Sequence, residues 1–278
     1  MKATVGTCIL ATAVAISPAF AQTITPDSVD AKALPGFQHA PMRRVPGPLV
    51  TNGTVKSYNW GGYAVTGTGF TSAKGSWEVP TLTCSKSPNA QVAIWVGLDG
   101  FNSNTVEQTG TTAWCNKTTA EYFTWYEFYP AAPQVISSVP SSPGNRISAE
   151  ISYNGSEFTV EITDETTGKS FSTTHTVSGA ERTSAEWIVE SPYWVTSDGF
   201  DYGVLNLADF TKISFGDDYT KVVGTNSATD SKVSGPISDF GSAVQPITQV
   251  DYLGHTQSTS SALSKDGSSF IVTWVEYN

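Results

Sequence analysis

Basic residues, histidine and cysteine are all scarce in this 278-residue chain, and each shortage removes a class of function. There are 15 Lys and Arg against 25 Asp and Glu. Lys2, Lys32, Arg43, Arg44 and Lys56 all precede residue 57, so residues 57–278 carry 10 basic and 23 acidic residues. A domain of that sign repels phosphate backbones and anionic lipid, so neither nucleic acid nor a membrane surface is expected as a partner. Few ion pairs are possible either. Acid denaturation largely reflects protonation of carboxylates that are paired in the native state, so such a fold has little to lose at low pH.

Beyond residue 56 the histidines are His175 and His255. Nucleophilic serine chemistry needs a histidine base, and no Gly-x-Ser-x-Gly elbow accompanies either one. Asp-Thr-Gly, Asp-Ser-Gly, His-Glu-x-x-His, Walker and dinucleotide fingerprints are also missing. The cysteines are Cys8, Cys84 and Cys115. Cys8 borders the apolar run Ile9–Ile16, which follows Lys2 and ends at Ala19-Phe20-Ala21. This is the pattern of a secretory signal peptide over residues 1–21. Its apolar run is too short to span a bilayer. In an exported protein Cys84 and Cys115 are expected to pair as a disulfide. Two cysteines without a histidine pair make no zinc site, and no metal or cofactor is expected.

Residues 22–56 read as a flexible basic extension, with Pro26, Pro35, Pro41, Pro46 and Pro48 and no period. Set before an acidic domain, it is either a plain spacer or a propeptide with Lys32, Arg43 or Arg44 in an acidic cleft. Helical periodicity is nearly absent from residue 57 on. Short strand-like runs recur between turn signals such as Asn154-Gly155, Thr167-Gly168 and Asp266-Gly267. They include 59–65, 74–79, 91–98, 122–128, 146–153, 157–164, 171–177, 183–190, 212–215, 246–253 and 269–277. Residues 204–210 are weakly helical, and a loop is expected between 98 and 122. The pattern predicts one all-β domain over 57–278, a two-sheet antiparallel β-sandwich.

Side chains alternate across a strand. In 91–99, Val92, Ile94, Val96 and Leu98 form a core face, while Trp95, Gly97 and Asp99 face the other way as a candidate groove floor. Trp125, Glu127 and Tyr129 share a second aromatic and acidic face. In 183–190, Glu186 and Glu190 share a face with Ile188. A carboxylate among large apolar groups is desolvated, which raises its pKa and is one way a general acid or base is made. The plain alternative is an edge strand with both glutamates in water.

Five stretches, taken together, resemble a known family. They are Asn59-Trp60-Gly61-Gly62, Trp95-Val96-Gly97-Leu98-Asp99-Gly100, Gln108-Thr109-Gly110, Trp125-Tyr126-Glu127-Phe128-Tyr129-Pro130 and Ala185-Glu186-Trp187-Ile188-Val189-Glu190. In order and spacing they are similar to the glutamic peptidases, or eqolisins, which are pepstatin-insensitive acid endopeptidases. The resemblance implies a concanavalin-like sandwich, secretion, an inhibitory propeptide, polypeptide substrates and a catalytic pair of Gln108 and Glu190. It places Trp95, Asp99, Trp125 and Glu127 around the cleft. Ser191-Pro192 after Glu190, Thr111-Thr112 after Gly110 and a single cysteine pair depart from the fungal pattern and point to a divergent, bacterial-type branch.

The implied chemistry suits the residue types. An ionised glutamate takes a proton from water, the water attacks the scissile carbonyl, and an amide N–H holds the developing oxyanion without titrating in acid. Two rival readings use the same fold. A jelly-roll glycoside hydrolase would employ Glu186 and Glu190 at i and i+4, but Ile188 stands where polar tuning is wanted. A carbohydrate-binding sandwich would expose its tryptophans and turn nothing over. Neither uses Gln108. A monomer is expected.

Overall fold

The computed structural model describes residues 37–46, 53–195 and 201–276. The predicted signal peptide and Lys32 lie outside them. The strands, in chain order, begin with β1 (Phe37–Gln38), β2 (Val55–Ser57), β3 (Trp60–Thr66), β4 (Ser72–Glu78), β5 (Gln91–Leu98), β6 (Val106–Asn116) and β7 (Thr119–Tyr129). Then come β8 (Gln134–Val135), β9 (Arg146–Tyr153), β10 (Phe158–Asp164), β11 (Lys169–His175), β12 (Ser184–Glu190), β13 (Tyr193–Val195) and β14 (Asp201–Val204). The last are β15 (Lys212–Phe215), β16 (Ser227–Thr229), β17 (Ser234–Pro236), β18 (Val244–Val250), β19 (Thr256–Ser260) and β20 (Phe270–Trp274).

Strands β1, β13 and β14 form a separate three-stranded sheet, and the pairings of the others run as one ladder folded into two layers. The first layer has the order β8-β7-β6-β5-β12-β3-β18. The second has the order β11-β10-β9-β4-β15-β20-β19, with the β16–β17 hairpin on β4. The pair β18–β19 joins them along one side. No described pairing links β8 back to β11, so the ladder stays open and the architecture is the predicted antiparallel sandwich. One parallel pair, β2 on β18, is the exception.

Alternation decides which residues fill the middle. Tyr63, Val65, Val92, Ile94, Val96, Leu98, Trp187 and Val189 of the first layer meet Trp77, Ile147, Val160, Ile213, Phe215 and Phe270 of the second. Burying each such side chain contributes about 1.5–3 kcal/mol. The first layer buries its other face too. Trp60, Ala64, Ala93, Trp95, Val106, Trp125 and Ile188 form a separate cluster there, and Met42 joins it. Burial on both faces is why β5 and β12 are inaccessible along their whole length.

The loop expected between residues 98 and 122 is in fact largely the long strand β6 and the start of β7. Every residue from Val106 to Ala113 is buried, so alternation is lost and a threonine-rich strand resembles a loop in sequence. Residues 205–210 form no helix; Leu207 bridges to Gln91 and buries itself with Ala208 and Phe210. The described helices are the turn Asp217–Thr220 and a kinked 3-10 segment, Ile237–Ala243. Cys84 and Cys115 are joined, as expected, with an S–S length of 2.05 Å.

Candidate active site

The second face of the first layer carries the predicted residues in register. Glu127 stands opposite Gln108, Gln108 opposite Gly97 and Gly97 opposite Glu186. In the next row Trp125, Gly110, Trp95 and Ile188 line up, and in the one after that Phe123, Thr112, Ala93 and Glu190. Gly110 is needed where it is, because a β-carbon there would collide with the Ile94 carbonyl and lie 2.6 Å from Trp95 Cβ. Gln108 is therefore a strand residue and not the loop residue that was expected.

Glu190 is inaccessible to solvent and both its oxygens are engaged. The Trp95 indole N–H donates to Oε2 at 2.8 Å, and His39 Nδ1 lies 3.2 Å from the same oxygen. Ala40 N–H and Asn59 Nδ2 donate to Oε1 at 3.2 and 3.4 Å. Four polar groups therefore fix this one carboxylate in place.

Gln108 faces a different carboxylate. Its Nε2 donates to Glu127 Oε2 at 2.7 Å, while its Oε1 has no protein partner. Burial, reinforced by the Glu190 charge, holds the Glu127 carboxyl well above the usual range. Glu127 thus enters this face as a neutral acid, and no hydrogen bond joins Gln108 to Glu190 directly.

What lies between them is the chain's own N-terminal segment. His39 stacks flat on Trp125, with ring centroids 3.7 Å apart and planes 9° from parallel. Its backbone N–H donates to Glu127. The Ala40 carbonyl accepts from Trp60 Nε1 at 3.1 Å, and Met42 N–H donates to Gly100 O at 3.0 Å. The extension was expected to reach the cleft through Lys32, Arg43 or Arg44. Instead the cationic groups of Arg43 and Arg44 sit over the rings of Tyr193 and Phe101, and histidine is the basic side chain at Glu190.

Asp99 does not belong to this cluster, although alternation put it on the groove face. It ends β5 with a positive φ of 69°. Its oxygens accept from the backbone N–H groups of Glu181, Arg182 and Thr183 at 2.7–2.9 Å. It anchors the turn that launches β12. Beside it, Glu107 is pushed up to about 9 by burial and the Asp99 charge, and Glu186 is raised well above the usual range by burial. No hydrogen bond joins Glu186 to the described residues of the N-terminal segment. Sequence reasoning missed His39, Ala40 and Asn59. The signal available was the short apolar patch His39-Ala40-Pro41-Met42 inside a proline-rich stretch, together with the polar residue heading the Asn59-Trp60-Gly61-Gly62 motif.

Residues 58–262 match the Peptidase A4 family. The chain belongs to the peptidase A4 family. It is a peptide hydrolase of the glutamic type. Among curated relatives, aspergillopepsin-2 of Aspergillus niger is 28% identical over 214 residues, covering 65% of this chain and 72% of that protein. Scytalidopepsin B of Scytalidium lignicola is 32% identical over 182 residues, covering 63% of this chain and 66% of that protein. Among solved structures, aspergilloglutamic peptidase from Aspergillus niger superposes with a TM-score of 0.53 at 26% identity, covering 67% of this chain and 99% of that one. Scytalido-glutamic peptidase with a transition-state analog inhibitor shares the fold, with a TM-score of 0.66 at 24% identity over 78% of this A4 peptidase and 98% of that chain.

Proposed function

We propose that this A4 peptidase is a secreted acid endopeptidase in which Glu190 is the general base and acid and Gln108 holds the oxyanion. The observation that carries the reading is a peptide group already seated at the carboxylate, with Ala40 N–H on Glu190 Oε1. In a substrate complex a water takes that place, and Glu190 removes its proton as it attacks the carbonyl. The Gln108 amide donates to the oxyanion, and Glu190 returns the proton to the leaving nitrogen. Bonds and protons balance with no metal or covalent intermediate. Glu127, neutral and bonded to Gln108, orients the amide; Trp95 fixes Glu190, and Trp95 and Trp125 floor the groove.

The extension over residues 22–56 is read as an inhibitory propeptide. His39 and Ala40 occupy both oxygens of the Glu190 carboxylate, and the His39 backbone N–H donates to Glu127, the partner of Gln108, so the segment keeps water from the base. Export through residues 1–21, processing between about residues 45 and 57 and a monomeric enzyme complete the proposal. The glycosidase alternative is disfavoured because Ile188 stands between the two glutamates where polar tuning is wanted, and because it leaves Gln108 without a role. Digestion of casein across pH, with and without pepstatin, tests the reading. Cleavage that is confined to acid and untouched by pepstatin supports it. Inhibition by pepstatin, or sugar release from β-glucan without peptide cleavage, contradicts it.

A further inference from the structure

The segment over the groove carries more information than inhibition alone requires. Most of its grip is main-chain. Ala40 N–H meets Glu190, Ala40 O meets Trp60, Met42 N–H meets Gly100 O, and Arg43 O accepts from Tyr58 N–H at 2.8 Å. Contacts of that kind are blind to side chains and let many sequences lie in one groove. Side chains then decide which sequences lie there well.

Two side chains of the segment are large and buried. His39 is 2% exposed, flat on Trp125. Met42 is 9% exposed and joins the cluster that holds Val55, Trp60, Phe101 and Val106. Arg43 is exposed, and Pro41, Arg44 and Val45 are only partly covered. The groove therefore has two shaped places, a flat slot and, three residues further toward the C-terminus of the bound chain, an apolar recess.

We propose that these two places are specificity subsites, so that substrates are chosen by a planar side chain where His39 lies and a long apolar side chain without a branch at Cβ where Met42 lies. The proposal rests on the reading of Glu190 as the reacting carboxylate. A ring on the Trp125 face gains from stacking and from excluding water, which a β-branched side chain does not. The titratable groups that face the slot from the packed strands are Glu190 of β12 and Glu127 of β7. A phenylalanine, tyrosine or tryptophan there gains from stacking and leaves Glu190 to the water, whereas a histidine pairs with that carboxylate as His39 does. In the recess an unbranched thioether or leucine follows the curved apolar wall of Trp60 and Phe101.

The test is cleavage-site mapping on a proteome-derived peptide mixture with the acid-processed enzyme, run beside casein digestion. Phe, Tyr and Trp are expected at one fixed position near the cut, and Met or Leu three residues on. Each should be favoured over Val or Gly by about tenfold, a usual scale for one well-fitted pocket. Peptides spanning residues 37–46 serve as a readout without turnover. His39→Phe and Met42→Leu peptides should inhibit within a few-fold of the parent sequence, and His39→Val and Met42→Gly peptides about tenfold less well. Enrichment of His without Phe or Tyr would overturn the planar slot in favour of charge. A flat cleavage profile with casein still digested would overturn both subsites while leaving the peptidase reading intact.

Discussion

His39 Nδ1 lies 3.2 Å from Glu190 Oε2, a contact that spans 151 residues of sequence and that neither residue's own neighbours announce. The contact is completed by stacking on Trp125 and by the N–H of Ala40 on the other carboxylate oxygen.

Replacing His39 should therefore release the enzyme. A charge-assisted hydrogen bond and a stacked ring are together worth about 2–4 kcal/mol. The unprocessed His39→Ala chain should cleave a fluorogenic peptide at least about tenfold faster than unprocessed wild type, by initial rate before any processing is visible on a gel. Equal rates would mean that the segment is held by its main chain alone.

Trp95 positions the base through its indole N–H at 2.8 Å. Trp95→Phe keeps an aromatic ring and removes the donor, so the carboxylate is less firmly aimed at the water. The variant should lose about tenfold or more in kcat with KM changed less than about twofold, the pattern of an interaction needed in the transition state. A raised KM with kcat unchanged would assign Trp95 to packing and substrate binding only.

Gln108→Ala removes a neutral oxyanion donor and leaves Glu127 without its partner. Loss of one such donor costs about 10²–10³ in kcat. Circular dichroism should show the sandwich intact, since the residue lies on the groove face and not in the core between the sheets. Retained turnover would move the oxyanion site elsewhere.

The buried acids set how stability depends on pH. Glu107 titrates at about 9 in the folded chain against an ordinary 4.5, and Glu186 and Glu127 shift the same way. Between those values the folded state holds protons that the unfolded state has released. Stability is then full below about pH 4.5 and falls as pH rises toward 9, at up to about 1.4 kcal/mol per pH unit for each group. Urea midpoints should fall from pH 4 to pH 8, and Glu107→Gln should flatten that slope. Midpoints that rise with pH would show that other groups dominate.

Much of this was legible in the sequence. Strand alternation separated the Val92-Ile94-Val96-Leu98 face from the Trp95-Gly97 face, and the cysteine pair followed from compartment and count. Asp99 was misplaced because alternation ends where the chain takes a positive φ, and its carboxylate turns to the backbone of residues 181–183. Strand β6 was hidden because burial on both faces erases the period on which strand reading depends. His39 was invisible for a different reason. A stacked histidine in a proline-rich stretch acquires meaning only when Trp125 and Glu127 of β7 and Glu190 of β12 are brought around it.

The most direct test of the account compares Glu190→Gln with Glu186→Gln, two changes four residues apart on one strand face. Both are assayed as acid-processed enzymes on casein near pH 4, close to the ordinary glutamate pKa of about 4.3. Glu190→Gln should lose activity by at least about 10³-fold, the scale of losing an essential acid–base group. Glu186→Gln replaces a neutral buried acid by a neutral amide and should cleave within a few-fold of wild type. Turnover by Glu190→Gln at the wild-type rate, or its loss in Glu186→Gln alone, would contradict the assignment of the reacting carboxylate.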